Sequence, residues 1–541
     1  MGWLALLVPV IGGLVVGFMA RYGSERIRGH GIPEAIEAIL INGSRIEPKV
    51  ALLKPLSSAI SIGSGGPFGA EGPIIMTGGA FGSLVAQFLR LTAAERKTLL
   101  VAGAAAGMSA TFAAPVAAVL LGVELLLFEW KPRSAIPVAL ASAAAAVVRR
   151  YIIGLGPLFP VPPHPEFIGP LGILGCVLVG LTAGALSALL TVSVYAAEDA
   201  FTKLPIHWMW WPAIGGLVIG AGGLFFPRAL GVGYDVIGDI LKGGLPLGVL
   251  AGVLIVKWII WSVSLGSGTS GGVLAPLLMM GGALGGLEAT FLPNEGLGFW
   301  PLVSMGAILG GTMRSPFTGV IFALELTHDI NILLPLLVGA FVAHGFTVLV
   351  LKRSILTEKV ARRGYHLSRE YATDPMEILF VREAMRTTVA ALPATVHLSD
   401  LAAAVRPDET RGQRLYPVLD EAGGLSGVLT RTDLRGLLQA NHNGQELADV
   451  VKSEVVVAYP DEPLRAVMHR MAETSLTRFP VVERGSGRKL AGMIALTDML
   501  KATQRHLEEE RHRERVLRTH LLFPFGRRSS AGSDADGEPP P

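Results

Sequence analysis

A duplicated glycine-rich stretch constrains the fold of this chain more than any other feature. Residues 61–82 read SIGSGGPFGAEGPIIMTGGAFG, and residues 264–285, 203 positions later, read SLGSGTSGGVLAPLLMMGGALG. The same offset pairs PVIGGLVVG at 9–17 with PAIGGLVIG at 212–220. One unit is therefore repeated across most of the N-terminal two thirds of the chain. In transporters such repeats are often inverted in the membrane, with broken helices that meet at a midplane site.

Composition places these repeats in a membrane. Of the 541 residues, 51% are hydrophobic and only 16% are charged, and the mean hydropathy is +0.51. Soluble domains carry about 25% charged residues, so a polytopic membrane protein with a soluble tail is predicted. The net charge of +3 is too small to indicate a nucleic-acid partner. The single cysteine, Cys176, excludes an intramolecular disulfide.

The soluble tail also contains a repeat. YPVLDEAGGLSGVLTRTDL at 416–434 resembles FPVVERGSGRKLAGMIALTDML at 479–500, and each reads as strand, turn, strand and helix. Basic residues after Leu351 place the end of the membrane region in the cytoplasm. The predicted divisions are a first membrane repeat, a second membrane repeat, a linker, two α/β halves, and a charged helix with a disordered tail, at 1–155, 156–355, 356–377, 378–442, 443–505 and 506–541.

The first repeat is expected to be truncated at its N-terminus. Residues 171–195 form one long apolar stretch, which opens the second repeat. At the offset of the duplication, its counterpart would precede residue 3. The predicted first repeat therefore contains one helix fewer than the second.

Glu71 is the one acid in the first glycine-rich stretch, between Ala70 and Gly72. Residues 69–73 read as a loop that enters a helix, because proline is tolerated in a helix's first turn. A helix N-terminus has bare N–H groups and the positive end of the dipole, which makes it an anion site. An ionisable residue in a membrane is a functional-site hypothesis by default. Leu274 takes this position in the second repeat, so the two halves are not chemically equivalent.

Three motifs in this order resemble the CLC family of chloride channels and proton-coupled chloride antiporters. They are GHGIP at 29–33, GAEGP at 69–73 and GVLAP at 272–276, and the tail resembles a pair of CBS domains. The resemblance covers roughly residues 1–505. It implies an α-helical polytopic membrane domain of two inverted repeats with broken helices, plus a cytoplasmic α/β tandem CBS domain. It also implies a homodimer in the cell (inner) membrane, with one anion pathway per subunit and no enzymatic activity.

The resemblance assigns anion contacts by position. The implied anion-binding residues are His30, Gly31, Ile32, Gly69, Ala70, Gly72, Val273, Leu274 and Leu356. Four of these depart from the family pattern: His30 replaces a serine, Ala70 a basic residue, Leu274 a phenylalanine and Leu356 the pore tyrosine. Backbone N–H groups are still able to bind an anion there, but chloride is not distinguished from nitrate, bromide or fluoride.

We expect the Glu71 carboxylate to act as a gate that mimics the anion and is displaced by an anion or a proton. The alternative is a first-turn acid that only satisfies the helix dipole. The internal proton glutamate of the antiporters aligns with Leu125, which favours a passive channel and leaves a proton-coupled antiporter as the alternative. Glu124 recurs as Glu325 at the same spacing from a proline, so both are interpreted as structural acids that bond backbone N–H groups at a helix break.

In the tail, Thr430, Asp433 and Asp498 resemble CBS residues that bind ATP, ADP or AMP. Ala495 departs from the pattern in the second half. Helix N-capping is the alternative role, because aspartate caps helices well. No other cofactor and no metal is predicted.

Two other classes of membrane protein would also combine a membrane region with CBS domains. A membrane metalloprotease with CBS domains needs an HExxH helix, and the sequence contains no such pair of histidines. A CBS-regulated cation transporter needs acids that converge within the membrane, for which the candidates are Glu71, Glu124 and Glu325. Their context at helix N-termini favours anions instead.

Overall fold

The computed structural model describes residues 4–40, 42–89, 91–154, 156–164, 167–362, 376, 379–405, 413–439, 445–451, 454–485 and 488–513. Contacts divide the chain into two compact units, and the boundary between them falls after residue 371. The predicted tail beyond residue 513 lies outside the described residues.

The first repeat contributes seven helices among the described residues. They are α1 (Leu4–Tyr22), α2 (Ile32–Leu40), α3 (Pro48–Gly63), α4 (Glu71–Phe88), α5 (Ala93–Phe112), α6 (Pro115–Leu121) and α7 (Pro132–Ile152). A π-helical segment, Gly122–Leu127, continues α6. Helices α3, α6 and α7 begin with proline, whose missing N–H costs nothing in the first turn.

The second repeat continues the membrane unit. Its helices are α8 (Pro170–Thr202), α9 (Trp211–Phe225), α10 (Tyr234–Leu241), α11 (Leu247–Gly266), α12 (Leu274–Glu288), α13 (Phe299–Met313), α14 (Pro316–Thr327), α15 (Leu333–Val350) and α16 (Ile355–Arg362). Helices α9 to α15 repeat the order of α1 to α7, and α8 is the extra helix. The short α10 was not predicted, although GVGY at 231–234 follows GHGI at 29–32 with nearly the same offset.

Five helical stretches are long and apolar enough to cross a membrane. They are Pro132–Ile152, Pro170–Thr202, Trp208–Phe225, Leu247–Gly266 and Ile330–Arg362. Others, such as α12 and α14, are shorter apolar helices. Every residue of α13 is buried, which fits the rule that interrupted backbone at membrane depth must be enclosed by protein.

Helix α16 corrects the predicted linker at 356–377. It lies in the same compact unit as the membrane helices, and Ile355, Leu356 and Val360 are buried on one face. These three residues have the spacing of an amphipathic helix, so the membrane unit extends at least to Arg362.

The second unit contains two similar halves. Its elements are α17 (Val381–Ala384), β1 (Leu392–Pro393), α18 (Leu401–Ala404), β2 (Leu415–Leu419), β3 (Leu425–Thr430), α19 (Arg431–Gln439), α20 (Leu447–Val450), α21 (Leu464–Thr474), β4 (Arg478–Val482), β5 (Leu490–Ala495) and α22 (Leu496–Arg513). The antiparallel pairs β2–β3 and β4–β5 are the predicted strand-turn-strand units. Helix α22 extends the predicted charged helix back to the end of β5.

The start of the predicted first half packs with the second half instead. Val381 lies in the hydrophobic core that contains Phe479 and Ile494, and Arg386 pairs with Met493 beside β5. Residues 379–386 therefore complete the second half, because their apolar side chains reach its core.

Candidate anion site

The two glycine-rich stretches meet directly. The N–H of Gly69 donates to the carbonyl of Gly272 at 3.1 Å, and the N–H of Gly272 donates back to Gly69 at 2.6 Å. This bridge brings the N-termini of α4 and α12 together. Gly72 is held so close that a Cβ there would lie 1.6 Å from the His30 carbonyl oxygen. Glycine is therefore required for the loop before α2 to reach α4.

Glu71 lies between these two helix starts. It is the first residue of α4 and its side chain is 1% exposed. The N–H of Ala275, in the first turn of α12, donates to its Oε1 at 2.9 Å. Its Oε2 has no hydrogen-bond partner within the described part of the chain. The carboxylate thus takes the place of an anion at the N-terminus of a helix from the other repeat.

Neighbouring N–H groups remain available in the second motif. Among the described residues, the N–H groups of Val273 and Leu274 donate to no acceptor, whereas Gly271 and Gly272 donate to loop carbonyls. Val273 and Leu274 are both fully buried. Two of the predicted anion contacts therefore offer backbone donors beside the Glu71 carboxylate.

Gly31 differs from the prediction, because its N–H is already engaged. It donates to Oε2 of Glu34 at 2.9 Å, and Oε1 of Glu34 accepts from Nζ of Lys359 on α16 at 2.6 Å. Glu34 therefore satisfies the start of α2 and ties it to α16. Short-range spacing does not predict this link, because it joins residues 325 positions apart.

His30 lies where the loop before α2 approaches the other helix starts. Its side chain is 3% exposed, and its Nδ1 has no partner among the residues the structure describes. A cavity of about 100 Å³ borders it, lined also by Tyr195, Glu198 and Lys359. Leu356, the predicted replacement of the pore tyrosine, is fully buried on α16. The Tyr195 hydroxyl donates to the adjacent Ile355 carbonyl at 2.5 Å.

Two buried lysines, neither of them predicted as a site residue, support the site. Nζ of Lys54 on α3 donates to the carbonyls of Ile27 and Gly29 at 2.8 and 2.7 Å. Nζ of Lys257 on α11 donates to the carbonyls of Ala229 and Gly231 at 3.0 and 2.7 Å. Both side chains are 0% exposed. The signal was available, since the two lysines are separated by the offset of the duplication.

Glu124 and Glu325 confirm their predicted structural role. Oε2 of Glu124 accepts from the N–H of Thr318 at 3.0 Å, in the first turn of α14. The two oxygens of Glu325 accept from the N–H groups of Val116 and Ala117 at 2.9 and 2.8 Å, in the first turn of α6. Each acid therefore caps the helix that carries the other. Leu125 is buried in the apolar core.

The candidate cation ligands do not converge. Glu71, Glu124 and Glu325 each bond the N-terminus of a different helix, namely α12, α14 and α6. Within the described ranges, no group of three or more His, Cys, Asp or Glu side chains is arranged to hold a metal ion. The arrangement therefore supports the anion interpretation over the cation-transporter rival.

The predicted nucleotide residues differ between the two halves of the tail. The Thr430 hydroxyl donates to Asp433 at 2.7 Å, across the start of α19. Asp498 is engaged elsewhere: its Oδ1 accepts from Arg386 at 2.9 and 2.6 Å, and its Oδ2 from the N–H of Ala495. Asp498 was predicted as a nucleotide ligand, but this ion pair already occupies its carboxylate.

The buried helix N-termini, the apolar spans and the paired repeats define a polytopic membrane protein built to bind anions. A family profile described as voltage gated chloride channel matches residues 12–348. A CBS domain profile matches residues 381–440 and 447–505. The chain therefore belongs to the CLC family and carries a tandem CBS domain.

The relatives include proteins named as chloride channels and proteins named as proton/chloride exchangers. The chain is 31% identical over 352 residues to a putative chloride channel protein, ClcB-like, of Ralstonia nicotianae. This alignment covers 63% of the present chain and 82% of that relative. It is 30% identical over 355 residues to the H(+)/Cl(-) exchange transporter ClcA of Yersinia pestis, and the alignment covers 62% of this chain and 73% of that transporter. These relatives carry channel or transporter names.

Solved structures agree on the fold. A slow cyanobacterial Cl-/H+ antiporter aligns with a TM-score of 0.61 at 22% identity, over 66% of this chain and 86% of that one. A eukaryotic CLC transporter aligns with a TM-score of 0.56 at 20% identity, over 91% of this chain and 89% of that one. The predicted fold class, an inverted-repeat membrane domain with a CBS pair, is confirmed.

Proposed function

We propose that this chain conducts chloride across the membrane and that Glu71 gates the pathway. The observation that carries the proposal is the buried Glu71 carboxylate, which accepts a hydrogen bond from Ala275 N–H at the start of α12. A carboxylate at this place competes with a mobile anion for the same donors. Chloride displaces it by competition, and a proton displaces it by removing its charge.

When Glu71 leaves, the N–H groups of Val273, Leu274 and Ala275 become the donors for the anion. Buried N–H groups aimed at one point replace the water of a dehydrated anion, and they are stronger there than in solvent. The Lys257 ammonium adds positive charge near this point. His30 borders the cavity on the side of α16, where its unpaired Nδ1 is positioned to contact an anion.

The remaining predicted contacts shape the site rather than donate to it. Gly69 and Gly72 allow the backbones to approach, and Ala70 precedes the first turn of α4. Ile32 and Leu356 are fully buried at the starts of α2 and α16, where they form apolar walls. An apolar wall in place of a hydroxyl weakens discrimination among small anions, so bromide and nitrate belong in the same assay.

A proton-coupled antiporter is the second candidate, and the names of the exchanger relatives favour it. Against it, Leu125 provides no titratable group, and Glu124 is bonded to Thr318. The two candidates differ in one observable, which is whether chloride flux carries protons.

The test is chloride efflux from proteoliposomes with external pH recorded and the voltage clamped by valinomycin and potassium. We expect Glu71→Gln to raise efflux roughly tenfold, because a hydrogen bond to a charged group is worth about 1.5–3 kcal/mol, and to remove its dependence on pH. Glu325→Gln is the matched control, because Glu325 also caps a helix but lies outside the site. Lower efflux from folded Glu71→Gln protein would refute the gate, and uphill proton movement in wild type would establish the antiporter.

The tail and the assembly extend the same proposal. We infer a homodimer in the inner membrane with the CBS pair in the cytoplasm, supported by the basic residues Lys352 and Arg353 after α15. The first CBS half is the better nucleotide site, because Asp498 in the second half is held by Arg386. Titration of the full-length protein with ATP, ADP and AMP tests this regulation.

A further inference from the structure

Two of the buried polar atoms that lack a hydrogen-bond partner belong to side chains that interact electrostatically. One is Oε2 of Glu71 and the other is the hydroxyl oxygen of Tyr234, and neither has a partner in the described ranges. The Tyr234 hydroxyl lies within electrostatic range of the Glu71 carboxylate. Buried polar groups in native proteins are nearly always paired, so each exception calls for an explanation.

Tyr234 is held firmly in this position. It is the first residue of α10, and its ring packs edge-on against Phe159, with centroids 6.0 Å apart. Phe159 is anchored by its N–H, which donates to the Leu326 carbonyl at 2.9 Å. On the other side, a Cβ on Gly233 would lie 2.7 Å from the sulfur of Met279, so the start of α10 is pressed against α12.

Tyr234 opens the second-repeat helix that corresponds to α2, and the loop before α2 carries His30. Ile32 occupies the matching position in the first repeat, at the start of α2, and the two repeats are inverted. The loop before α2 is tied to α16 through Glu34 and Lys359. The loop before α10 instead packs near the linker between the repeats, through Phe159. Met279, against which the start of α10 packs, lies one turn beyond Ala275 on α12, so Tyr234 adjoins the helix start that Glu71 binds.

We propose that the Tyr234 hydroxyl receives the displaced Glu71 carboxylate and donates a hydrogen bond to it in the open gate. This inference rests on the proposed function. A phenol is a good donor to an ionised carboxylate, and such charge-assisted bonds are the strong ones. Tyr234 is thus a positioning residue that lets Glu71 leave the anion site while it is still charged.

The hydroxyl has a specific consequence for pH dependence. With Tyr234 present, an anion opens the gate without a proton, because the displaced carboxylate finds a donor. Without the hydroxyl, the ionised carboxylate loses this donor in the open gate, so opening depends more strongly on protonation. The described titratable groups around the gate are Lys257 on α11, Asp235 on α10 and His30 before α2, and the substitution leaves all three in place.

The experiment compares chloride efflux for wild type, Tyr234→Phe, Glu71→Gln and the double variant, between pH 4.5 and 8. We expect Tyr234→Phe to lower efflux roughly tenfold at pH 8, as loss of one bond to a charged group predicts. At pH 4.5 efflux should stay within about twofold, because the protonated gate opens without the hydroxyl. In the Glu71→Gln background the same substitution should change nothing.

Two controls separate this inference from the gate itself. Tyr416→Phe removes a hydroxyl in the C-terminal unit, where it donates to the Gln413 carbonyl, and should leave efflux unchanged. Equal losses for Tyr234→Phe at every pH, or a loss that persists beside Glu71→Gln, would show a merely structural tyrosine and overturn the inference alone. Efflux that Glu71→Gln fails to alter would overturn the gate, and the inference with it.

Discussion

The two repeats use the same scaffold and differ where the chemistry is. Lys54 and Lys257 each hold two loop carbonyls, and Glu124 and Glu325 each cap a helix start. At the first position of α4 and α12, however, the first repeat has Glu71 and the second has Leu274. Residues present in both repeats therefore maintain the fold, whereas a residue present in one repeat identifies the function.

The comparison also explains why one carboxylate is enough. The two helix starts face each other across the bridge between Gly69 and Gly272. Glu71 from the first repeat reaches Ala275 of the second. A second acid at Leu274 would add a like charge at the same point, which disfavours ionisation of both. The asymmetry leaves one side of the site for a mobile anion.

The position after Glu71 and Leu274 in the two repeats gives the largest expected effect on stability. Gly72 aligns with Ala275, so the second repeat tolerates a methyl group where the first does not. Gly72→Ala would place a Cβ 1.6 Å from the His30 carbonyl, and we expect a loss of more than about 3 kcal/mol, as for severe overpacking. Yield and monodispersity in size-exclusion chromatography measure it.

The reverse change and a neutral glycine sharpen this prediction. Ala275→Gly should cost only about 1 kcal/mol, the helix penalty of glycine. Gly248→Ala on α11, where a Cβ meets nothing within 4 Å, should be harmless. Normal yield of Gly72→Ala would mean that the loop before α2 moves freely from α4.

Loss of either buried lysine should have the next largest effect. Lys257→Met leaves the carbonyls of Ala229 and Gly231 without this donor, and Lys54→Met does the same to Ile27, at about 1–3 kcal/mol per group. The Gly29 carbonyl keeps a bond from the Gly271 N–H at 3.4 Å. The temperature of thermal unfolding in detergent should therefore fall for both variants. Lys203→Met, at the exposed residue that directly follows α8, should leave this temperature unchanged. Only Lys257→Met should also slow chloride efflux, because the Lys257 side chain interacts electrostatically with Glu71. Equal effects on efflux would break this distinction.

The capping acids should give the smallest effect. Each oxygen of Glu325 accepts a backbone N–H. In Glu325→Gln the NH2 group faces one of these N–H groups, and the bond is lost. The free energy of unfolding should fall by about 1–2 kcal/mol. The N–H and the hydroxyl of Thr318 both donate to the same oxygen of Glu124. The amide oxygen of Glu124→Gln accepts both bonds, so the free energy of unfolding should fall by less than about 1 kcal/mol. Detergent melting curves compare the two. Loss of proton movement in stable Glu124→Gln protein would instead assign Glu124 to proton transfer.

Local and repeated patterns were readable in the sequence. The duplication predicted the paired helices, and glycine and proline around Glu71 predicted the start of α4. Strand-turn-strand patterns predicted β2–β3 and β4–β5. The short α10 and α16 were missed because a helix of eight residues presents about two turns of periodicity, too little to stand out against apolar neighbours.

The sequence by itself determined the family, the repeats and the acid at the helix start, because these depend on residue type and short spacing. Only the tertiary structure decided which groups meet. Glu71 and Ala275 are 204 positions apart, and Glu34 and Lys359 are 325 apart. The structure also engaged the Asp498 carboxylate with Arg386, 112 positions away, and packed the start of α10, at Tyr234, against α12. Such long-range contacts arise when separately formed elements pack against each other, and spacing along the chain does not encode them.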